Sequence, residues 1–553
     1  MEKIYGKTTG LRASHQKRLQ RLYRRKVPAS EIISRELARQ LADLSNELNR
    51  QIALFITRTG RVAYVVVGDQ SRIWIPDLSG FRQGHGRLKG LRCVHTHLNG
   101  EPITREDLID LILLRLDLMV CIEVKEGGIP GRITYANILP INSKGQGWSV
   151  HTGPDMGRLG VDFREMILSL ESELARTRPG ASVDNKDRAV LVGVTSGERW
   201  VEEERLNELE ELAISDEIEV AGRVVQRVRK PDPRFLIGKG KLTDLALKCL
   251  QEGANLLIFN HELTPAQVKN LADFTELKII DRSQLILDIF ARRAVTREGK
   301  IQVELAQLKY LLPRLATKNT AMSRLTGGIG GRGPGETKLE INRRRVHERI
   351  ARLKRELKEV RAQRHTRRRL RNAKNLPVIS IVGYTNAGKS TLLNSLTNSN
   401  VQARNRMFET LDPTSRRLRF PREREAIITD TVGFIRDLPR DLLDAFAATL
   451  EELDDADLLL HVVDASHPRM EEQIGEVNKV LAHLNLNSTP TLLVLNKADL
   501  LSAEAADRLE RKMGGIAVSA INPPTLNKLI EQIDGAIWPR LSNPRTSVSY
   551  FSL

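Results

Sequence analysis

The sequence predicts an α/β protein that is built from several domains with mainly parallel sheets. Its 553 residues exceed what one hydrophobic core usually organises, so three or four domains are expected. From about residue 188 onward, short apolar runs alternate with segments of helical periodicity, which is typical of parallel strands joined by helices. The content of 41% hydrophobic and 28% charged residues is ordinary for globular domains. Length, pattern and composition therefore indicate the same fold class.

The chain has a formal net charge of +18, which favours a polyanionic partner such as nucleic acid or an anionic membrane surface. A surface charge that only keeps the protein in solution is the alternative. Its cysteines, Cys93, Cys121 and Cys249, lack the paired spacing of a disulfide framework or zinc knuckle, so a reducing compartment is expected. The apolar stretch 108–124 is interrupted by Asp110, Arg115 and Asp117, which excludes a bilayer span and predicts a buried amphipathic helix.

Four segments and one linker precede the last domain. Residues 1–40 are rich in Lys and Arg without the apolar core of a secretory signal, and this predicts a basic N-terminal arm, with a transit peptide as the alternative. Residues 41–176 alternate apolar and polar runs, for example between Ile52 and Val67, and predict an α/β extension. A linker containing Pro179-Gly180 follows. Residues 188–300 then predict a second α/β subdomain with a mainly parallel sheet.

Residues 301–375 predict a helical hairpin. Apolar residues recur at spacings of four and three from Ile301 to Leu315 and again from Val346 to Val360, which is the pattern of helices with a narrow apolar seam. The intervening segment 325–336 is too rich in glycine to be helical and predicts a mobile tip. Beyond about Arg361 the second helix carries one sign of charge, which favours contact with a phosphate backbone over a merely solvated face.

Residues 376–541 predict a nucleotide-binding domain, followed by a C-terminal tail at 542–553. An apolar run from Val378 leads into Gly383-Tyr-Thr-Asn-Ala-Gly-Lys-Ser390 and then into helical sequence, which is the P-loop pattern in its strand, loop and helix context. Lys389 is expected to reach the β and γ phosphates, and the Ser390 hydroxyl to bind Mg²⁺. The predicted nucleotide contacts of this loop are Gly383, Tyr384, Thr385, Asn386, Ala387, Gly388, Lys389, Ser390 and Thr391.

A second motif follows the apolar run Ala426–Thr429. Asp430 is expected to hold Mg²⁺, and the Gly433 amide to donate to the γ phosphate, where a side chain would be in the way. The predicted contacts of this motif are Asp430, Thr431, Val432 and Gly433.

A third motif, Asn496-Lys-Ala-Asp499, predicts selection of guanine. The Asp499 carboxylate can accept hydrogen bonds from the guanine N1 and its exocyclic amine, a pattern that adenine does not supply. Asn496 is expected to brace the loop, Lys497 to cover the ring, and the segment from Ser519 to approach the guanine O6. The predicted contacts are Asn496, Lys497, Ala498, Asp499, Ser519, Ala520 and Ile521. GTP and GDP are therefore the expected ligands.

Together with the glycine-rich segment, these motifs resemble the HflX family over about residues 189–538. Its marks are Gly333–Glu340 with Arg343-Arg344 after it, the run Phe408–Thr414, and Asp430–Ile435. The resemblance implies a translation-factor-related GTPase whose switch I has Thr410 as a ligand of Mg²⁺ and the γ phosphate, with Thr414 as the rival by sequence alone. The contacts that it implies are Phe408, Glu409, Thr410, Leu411 and Asp412. The expected metal ligands are then Ser390, Thr410 and Asp430, and the expected catalytic groups are Lys389, Thr410 and Gly433.

The resemblance also implies the large ribosomal subunit and its RNA as the partner, with the hairpin tip inserted into RNA and GTP hydrolysis controlling subunit association or release. A cytoplasmic, ribosome-associated monomer is expected, without stable insertion into a membrane; peripheral membrane association stays open. Two alternatives also stay open. One is an RNA-binding assembly or storage factor with incidental GTPase activity, and the other is a bifunctional protein with an N-terminal metal-dependent hydrolase.

Phe434 follows Gly433 where many GTPases place a water-orienting glutamine, so slow hydrolysis is expected in the absence of a partner. Ribosomal RNA, a segment of the N-terminal module or a cation are the candidates for the missing function. Asn386 resembles the asparagine of potassium-activated GTPases, which makes K⁺ a candidate cofactor; simple hydrogen bonding within the loop is the alternative.

The segment Cys93–Asp107 resembles the H-x-H and distal Asp motif of JAB/MPN zinc metalloproteases and the related RadC fold. His95 and His97 are alternate residues of one predicted strand, so they point to the same face and, with Asp107, would bind zinc. The spacing is one residue shorter than the family pattern. For the general base, Glu47 is early and Asn49 lies nearer the expected place. An active zinc hydrolase, a degenerate scaffold and a polar loop all stay open.

Overall fold

The computed structural model describes residues 3–78, 80–81, 87–142, 146–153, 161–176, 187–275, 277–326, 338–372, 376–397, 407–408, 414–420, 424–431, 433–436 and 453–541. The chain forms two compact units, Met1–Leu206 with Ile218–Ile280, and Asn207–Glu217 with Asp281–Leu553. Among the helices in these ranges, none is both long and apolar enough to cross a lipid bilayer.

The first unit contains a mixed sheet of seven described strands in the order β1-β3-β2-β4-β5-β6-β7. Strands β4 and β5 are parallel, as are β1 and β3, whereas the other neighbours are antiparallel. The strands are β1 Ile4–Gly6, β2 Ile52–Thr57, β3 Val62–Val67, β4 Leu91–His97, β5 Leu118–Lys125, β6 Ile129–Ile138 and β7 Trp148–Gly153. The accompanying helices are α1 Ala13–Arg21, α2 Arg35–Leu48, α3 Arg105–Leu113 and α4 Phe163–Arg176.

Residues 1–40 differ from the predicted basic arm, because their described part is folded into this domain. Strand β1 pairs with β3, and apolar residues such as Leu19, Leu22 and Val27 are buried in the core. Arg21 and Arg24, which lie between them, are exposed, and Arg18 binds Asp43 at 2.7 Å. The segment is therefore amphipathic: its basic residues lie at the surface, and its apolar residues form part of the core.

The apolar stretch 108–124 also differs from its prediction, because it is half helix and half strand rather than one buried helix. Helix α3 ends at Leu113, Arg115 adopts a left-handed conformation with φ of 52°, and β5 begins at Leu118. The charged residues thus mark the turn between two elements. Asp117 is buried there and is neutralised by Arg58, whose Nε lies 2.6 Å from its carboxylate.

The second sheet of this unit has the order β11-β10-β8-β9, and β8 is parallel to both β9 and β10. Its strands are β8 Arg188–Thr195, β9 Glu219–Arg227, β10 Leu256–Phe259 and β11 Lys278–Asp281. They alternate with the helices α5 Arg199–Ser215, α6 Lys239–Glu252, α7 Pro265–Phe274 and α8 Arg282–Arg293. This alternation confirms the α/β fold predicted for the region.

Two long helices follow, α9 Arg297–Thr326 and α10 Lys338–Asn372. They pack through the apolar residues that were predicted to form their seams. Four of these residues form a buried cluster, namely Ile301, Leu305, Leu353 and Leu357. Arg349 adds two hydrogen bonds to the Glu304 carboxylate, at 2.7 and 2.8 Å. Most of the predicted glycine-rich tip lies outside the described residues.

The C-terminal sheet has the order β13-β14-β12-β15-β16-β17, and its described neighbours are parallel except β13 with β14. The strands are β12 Val378–Gly383, β13 Thr414–Phe420, β14 Arg424–Asp430, β15 Leu458–Asp464, β16 Thr491–Asn496 and β17 Ile516–Ala517. The helices are α11 Lys389–Thr397, α12 Met470–His483, α13 Ala503–Met513 and α14 Leu526–Leu541. The carboxyl ends of β12, β14 and β16, where the three motifs lie, therefore meet at one edge of the sheet.

Candidate functional site

The loop between β12 and α11 has a backbone that accepts few side chains. Gly383, Asn386 and Gly388 have positive φ values of 153°, 62° and 88°. A Cβ atom at Gly383 would lie 2.1 Å from the Val462 carbonyl oxygen, and one at Gly388 would lie 2.3 Å from the Asn496 amide nitrogen. Glycine is therefore required at both positions, and the loop opens directly onto the N-terminus of α11, a favourable place for an anion.

Lys389 begins α11 with its ammonium group buried. Its Nζ donates to the Tyr384 carbonyl oxygen at 2.8 Å. Burial lowers the pKa of Lys389 to about 8, and the nearby Asp430 carboxylate only partly opposes this shift. The Ser390 hydroxyl donates to Asp430 at 2.6 Å, so the two motifs that the sequence predicted to share a metal ion are in direct contact.

The Asp430 motif is fixed to the P-loop by backbone hydrogen bonds. The Phe434 amide donates to the Gly383 carbonyl at 3.1 Å, and the Thr385 amide donates to the Phe434 carbonyl at 2.7 Å. Gly433 fits beneath the lysine, because an added Cβ would lie 2.8 Å from the Lys389 Nζ. The Phe434 side chain is 2% exposed and forms part of the interior.

Asn496 connects the P-loop to the third motif. Its Nδ2 donates to the Ala387 carbonyl at 2.8 Å, and its Oδ1 accepts from the Ala520 amide at 3.0 Å. Lys497 forms an ion pair with Asp464 at 2.7 Å, while the Asp499 side chain is exposed. Of the remaining predicted base contacts, Ser519 is buried, whereas Ile521 is 73% exposed.

The predicted switch I is described only in part. Phe408 is buried and its ring packs edge-on against Phe290, with centroids 4.6 Å apart. Other predicted contacts lie outside the described residues, namely Glu409, Thr410, Leu411, Asp412 and Val432.

Sequence reasoning missed a polar cluster behind the P-loop. The Tyr384 hydroxyl donates to Glu208 of α5 at 2.7 Å and accepts from the Arg436 amide at 2.7 Å. Arg282 of α8 completes the cluster, lying 3.0 Å from Glu208 and donating to the Arg436 carbonyl at 3.1 Å. Burial, followed by the Glu208 charge, raises the pKa of Tyr384. Helices that precede the nucleotide domain thus brace its phosphate loop, and no local sequence pattern joins positions this far apart.

Family models match three consecutive parts of the chain. They are described as GTP-binding GTPase N-terminal at residues 203–291, GTP-binding GTPase Middle Region at 293–371, and 50S ribosome-binding GTPase at 378–497. GTPase HflX from Caldanaerobacter subterraneus subsp. tengcongensis is 49% identical over 350 residues, which cover 63% of this chain and 80% of that protein. The chain belongs to the GTPase HflX family.

GTPase HflX of Escherichia coli K12 is 47% identical over 298 residues, covering 54% of this chain and 70% of that protein. Among solved structures, a GTP-binding protein from Sulfolobus solfataricus in complex with GDP is 25% identical, with a TM-score of 0.36, over 63% of this chain and 99% of that one. The predictions of a multidomain α/β fold and of GTP hydrolysis are confirmed. The family models begin at residue 203 and do not support the likeness of the N-terminal extension to JAB/MPN or RadC folds.

The lowered pKa of Lys389 predicts a pH dependence of nucleotide binding in this HflX-family GTPase. The charged ammonium attracts phosphate, so GTP affinity should be level below about pH 7 and fall roughly fivefold between pH 8 and pH 9. In the nucleotide-free protein, the free energy of unfolding should increase as the pH rises from about 8 to the ordinary lysine pKa. In this range the unfolded chain binds the Lys389 proton more tightly than the folded chain does. Equilibrium binding from pH 7 to pH 9 measures the first effect. A Lys389→Met variant should bind weakly without this pH dependence, and a level parent profile would contradict the assignment.

Proposed function

We propose that this GTPase acts on the large ribosomal subunit, and that GTP binding and hydrolysis control subunit association or release. The observation that carries the proposal is the charge of the helical hairpin joined to the nucleotide domain. Six arginines and no acidic residue lie between positions 361 and 371 of α10. Such a segment suits a dense phosphate backbone, and the match of residues 378–497 to a family described as 50S ribosome-binding GTPase supports the same partner. A cytoplasmic, ribosome-associated location follows from this partner.

Mg²⁺ is the cation proposed for the phosphate site. The Ser390 hydroxyl and the Asp430 carboxylate are hard oxygen donors in contact at 2.6 Å, which suits Mg²⁺ in the company of phosphate oxygens. Ser390, Asp430 and Thr410 would hold the ion, which neutralises charge on the β and γ phosphates when bound. Lys389 holds a positive charge at the same phosphates, and the Gly433 amide donates to the γ phosphate. Asp499 and Asn496 select guanine.

The chain lacks a glutamine after Gly433, so we propose that the group which orients the attacking water comes from outside this position. Phe434 is buried and apolar and cannot orient water. Ribosomal RNA is the favoured source. K⁺ is the second candidate, because Asn386 is exposed in the phosphate loop with φ of 62°. Replacing K⁺ by Na⁺ in the hydrolysis assay tests whether K⁺ takes part in hydrolysis. Slower turnover in Na⁺ would support this role, and an unchanged rate would exclude it.

Sedimentation with purified large subunits tests the proposed partner. Reversing two charges of the hairpin, in the double variant Arg364→Glu and Arg368→Glu, should weaken binding at least ~10-fold, because lost phosphate contacts release fewer counterions. The dependence of affinity on salt should also become shallower. Arg508→Glu is the matched control, since Arg508 is an exposed arginine of α13 outside the hairpin. Equal binding by the double variant and the control would reject the hairpin as the ribosome contact.

For the N-terminal extension we propose a degenerate scaffold rather than a hydrolase. Glu47, the candidate general base, is bound by Arg18 and lies 3.0 Å from His15. Asn49 ends helix α2 in a left-handed conformation, with φ of 49°. Neither residue supplies an unengaged carboxylate to activate water, which removes the main support for hydrolysis in this domain.

A further inference from the structure

Four side chains with metal-binding atoms converge in the N-terminal extension, and none of them belongs to the nucleotide site. His95 and His97 are alternate residues of β4 and therefore share one face of the sheet. In the parallel pairing of β4 with β5, Cys121 lies directly opposite His95. Asp107, in the first turn of α3, approaches the same face. Three consecutive elements, β4, α3 and β5, thus contribute to one cluster.

The distances within this cluster suit a tetrahedral metal ion. His95 Nε2 lies 2.9 Å from His97 Nε2 and 3.3 Å from the Asp107 carboxylate, and His97 Nε2 lies 3.7 Å from the same carboxylate. The ligand atoms of His95, His97 and Cys121 are all within 4.8 Å of one another. Ligands at zinc–ligand bond lengths of 2.0–2.3 Å are separated by about 3.3–3.7 Å in a tetrahedron. The distances from both histidines to Asp107 match this separation, whereas the two histidine nitrogens would move apart by about 0.5 Å around an ion.

The hydrogen bonds around the cluster orient its donor atoms inward. His97 Nδ1 lies 3.0 Å from the Glu101 carbonyl oxygen, which can only accept, so the proton is on Nδ1 and the lone pair of Nε2 faces the cluster. The Thr104 amide and hydroxyl donate to Asp107 Oδ2 at 2.8 and 2.7 Å and fix that carboxylate. Metal-bound histidines and carboxylates are commonly oriented by such outer contacts.

Burial also favours a ligand over a chance assembly of polar groups. His95 is fully buried, and the most exposed of the four residues, Asp107, is 8% exposed. Imidazole, carboxylate and thiolate together form a donor set of intermediate softness, which suits Zn²⁺ better than Mg²⁺ or Ca²⁺. We propose that His95, His97, Asp107 and Cys121 bind one Zn²⁺ ion in a closed, four-coordinate site.

This site is a structural cross-link between β4, β5 and α3. Cys121 fills the fourth coordination position, which in a hydrolytic zinc site would be left to water. The zinc site therefore agrees with a scaffold role for the extension and goes beyond the proposed action on ribosomes. Zinc binding should stabilise the extension, because the ion binds the folded arrangement and not the unfolded chain.

Metal titration of the full-length protein tests the site. After removal of metal with a chelator, the parent should bind about one Zn²⁺ per chain and gain thermal stability. Co²⁺ in place of Zn²⁺ should give the strong visible absorption of tetrahedral coordination and a thiolate-to-cobalt charge-transfer band. His97→Gln should weaken Zn²⁺ binding at least ~10-fold. His151→Ala, at an exposed histidine of β7, is the matched control and should bind like the parent.

Cys121→Ser distinguishes a site with four protein ligands from a site with three. It is also a conservative change, chosen so that the variant still folds. The serine variant should fold and lose the charge-transfer band. An unchanged cobalt spectrum in Cys121→Ser, absence of stoichiometric Zn²⁺ binding by the parent, or parent-like binding by His97→Gln would each overturn the proposal. GTP turnover and ribosome binding are measured separately in the same variants, so failure of the zinc site is distinguishable from failure of the proposed function.

Discussion

Replacing Asp499 by asparagine should change which nucleotide the chain binds. Guanine presents two donors, N1–H and the exocyclic amine, to the Asp499 carboxylate, whereas an asparagine amide places its own donor against one of them. GTP affinity should fall roughly 10³-fold or more, because a site built to hydrogen-bond a base discriminates strongly against an unmatched pattern. Xanthosine triphosphate, which carries a carbonyl in place of the amine, should bind better to the variant than GTP does.

The structure indicates that this exchange leaves the site intact. Asp499 is exposed, whereas the hydrogen bonds that hold the loop come from the buried Asn496, at 2.8 and 3.0 Å. Equilibrium binding of both nucleotides measures the effect, and Asp507→Asn, at an exposed position of α13, is the matched control. Equal weakening of both nucleotides would indicate damage to the loop and would contradict the assignment of Asp499 to the base.

Replacing Lys389 by alanine should abolish most GTP hydrolysis. The ammonium group holds a positive charge where negative charge develops on the phosphates, and loss of one such group typically costs about 10²–10³-fold in rate. The nucleotide-free protein should not be destabilised to a similar degree, because burial of this cation is unfavourable and lowers its pKa to about 8. Single-turnover hydrolysis and thermal unfolding measure the two effects. Turnover close to that of the parent would exclude Lys389 from phosphate binding.

The nucleotide site could be predicted from the sequence because its chemistry is local. The segment from Gly383 to Ser390 encodes a strand, a tight turn and a helix start, and parallel strand order brings Asp430 and Asn496 to the same edge. The contacts of Glu208 and Cys121 could not be predicted in this way. Glu208 reaches Tyr384 from a helix far away in the chain, and Cys121 meets His95 only through strand pairing.

The basic segment 1–40 and the apolar stretch 108–124 also differ from their predicted structures. Both predictions rested on net charge or apolar content, which do not by themselves determine secondary structure. The basic segment at residues 1–40 contains enough regularly spaced apolar residues to form a strand and a helix. The apolar stretch 108–124 changes element at Arg115, whose left-handed conformation ends the helix. In both segments the secondary structure is determined by tertiary packing, which local composition does not predict.

The most direct test of the central claim is GTP turnover by the full-length protein with increasing amounts of purified large ribosomal subunits. Buried Phe434 supplies no group to orient water, so turnover of the protein alone should be slow. Saturating subunits should raise it at least ~10-fold, and Lys389→Ala should remain inactive under the same conditions. Equal turnover with and without subunits, despite binding, would contradict a ribosome-activated GTPase and favour an RNA-binding factor with incidental hydrolysis.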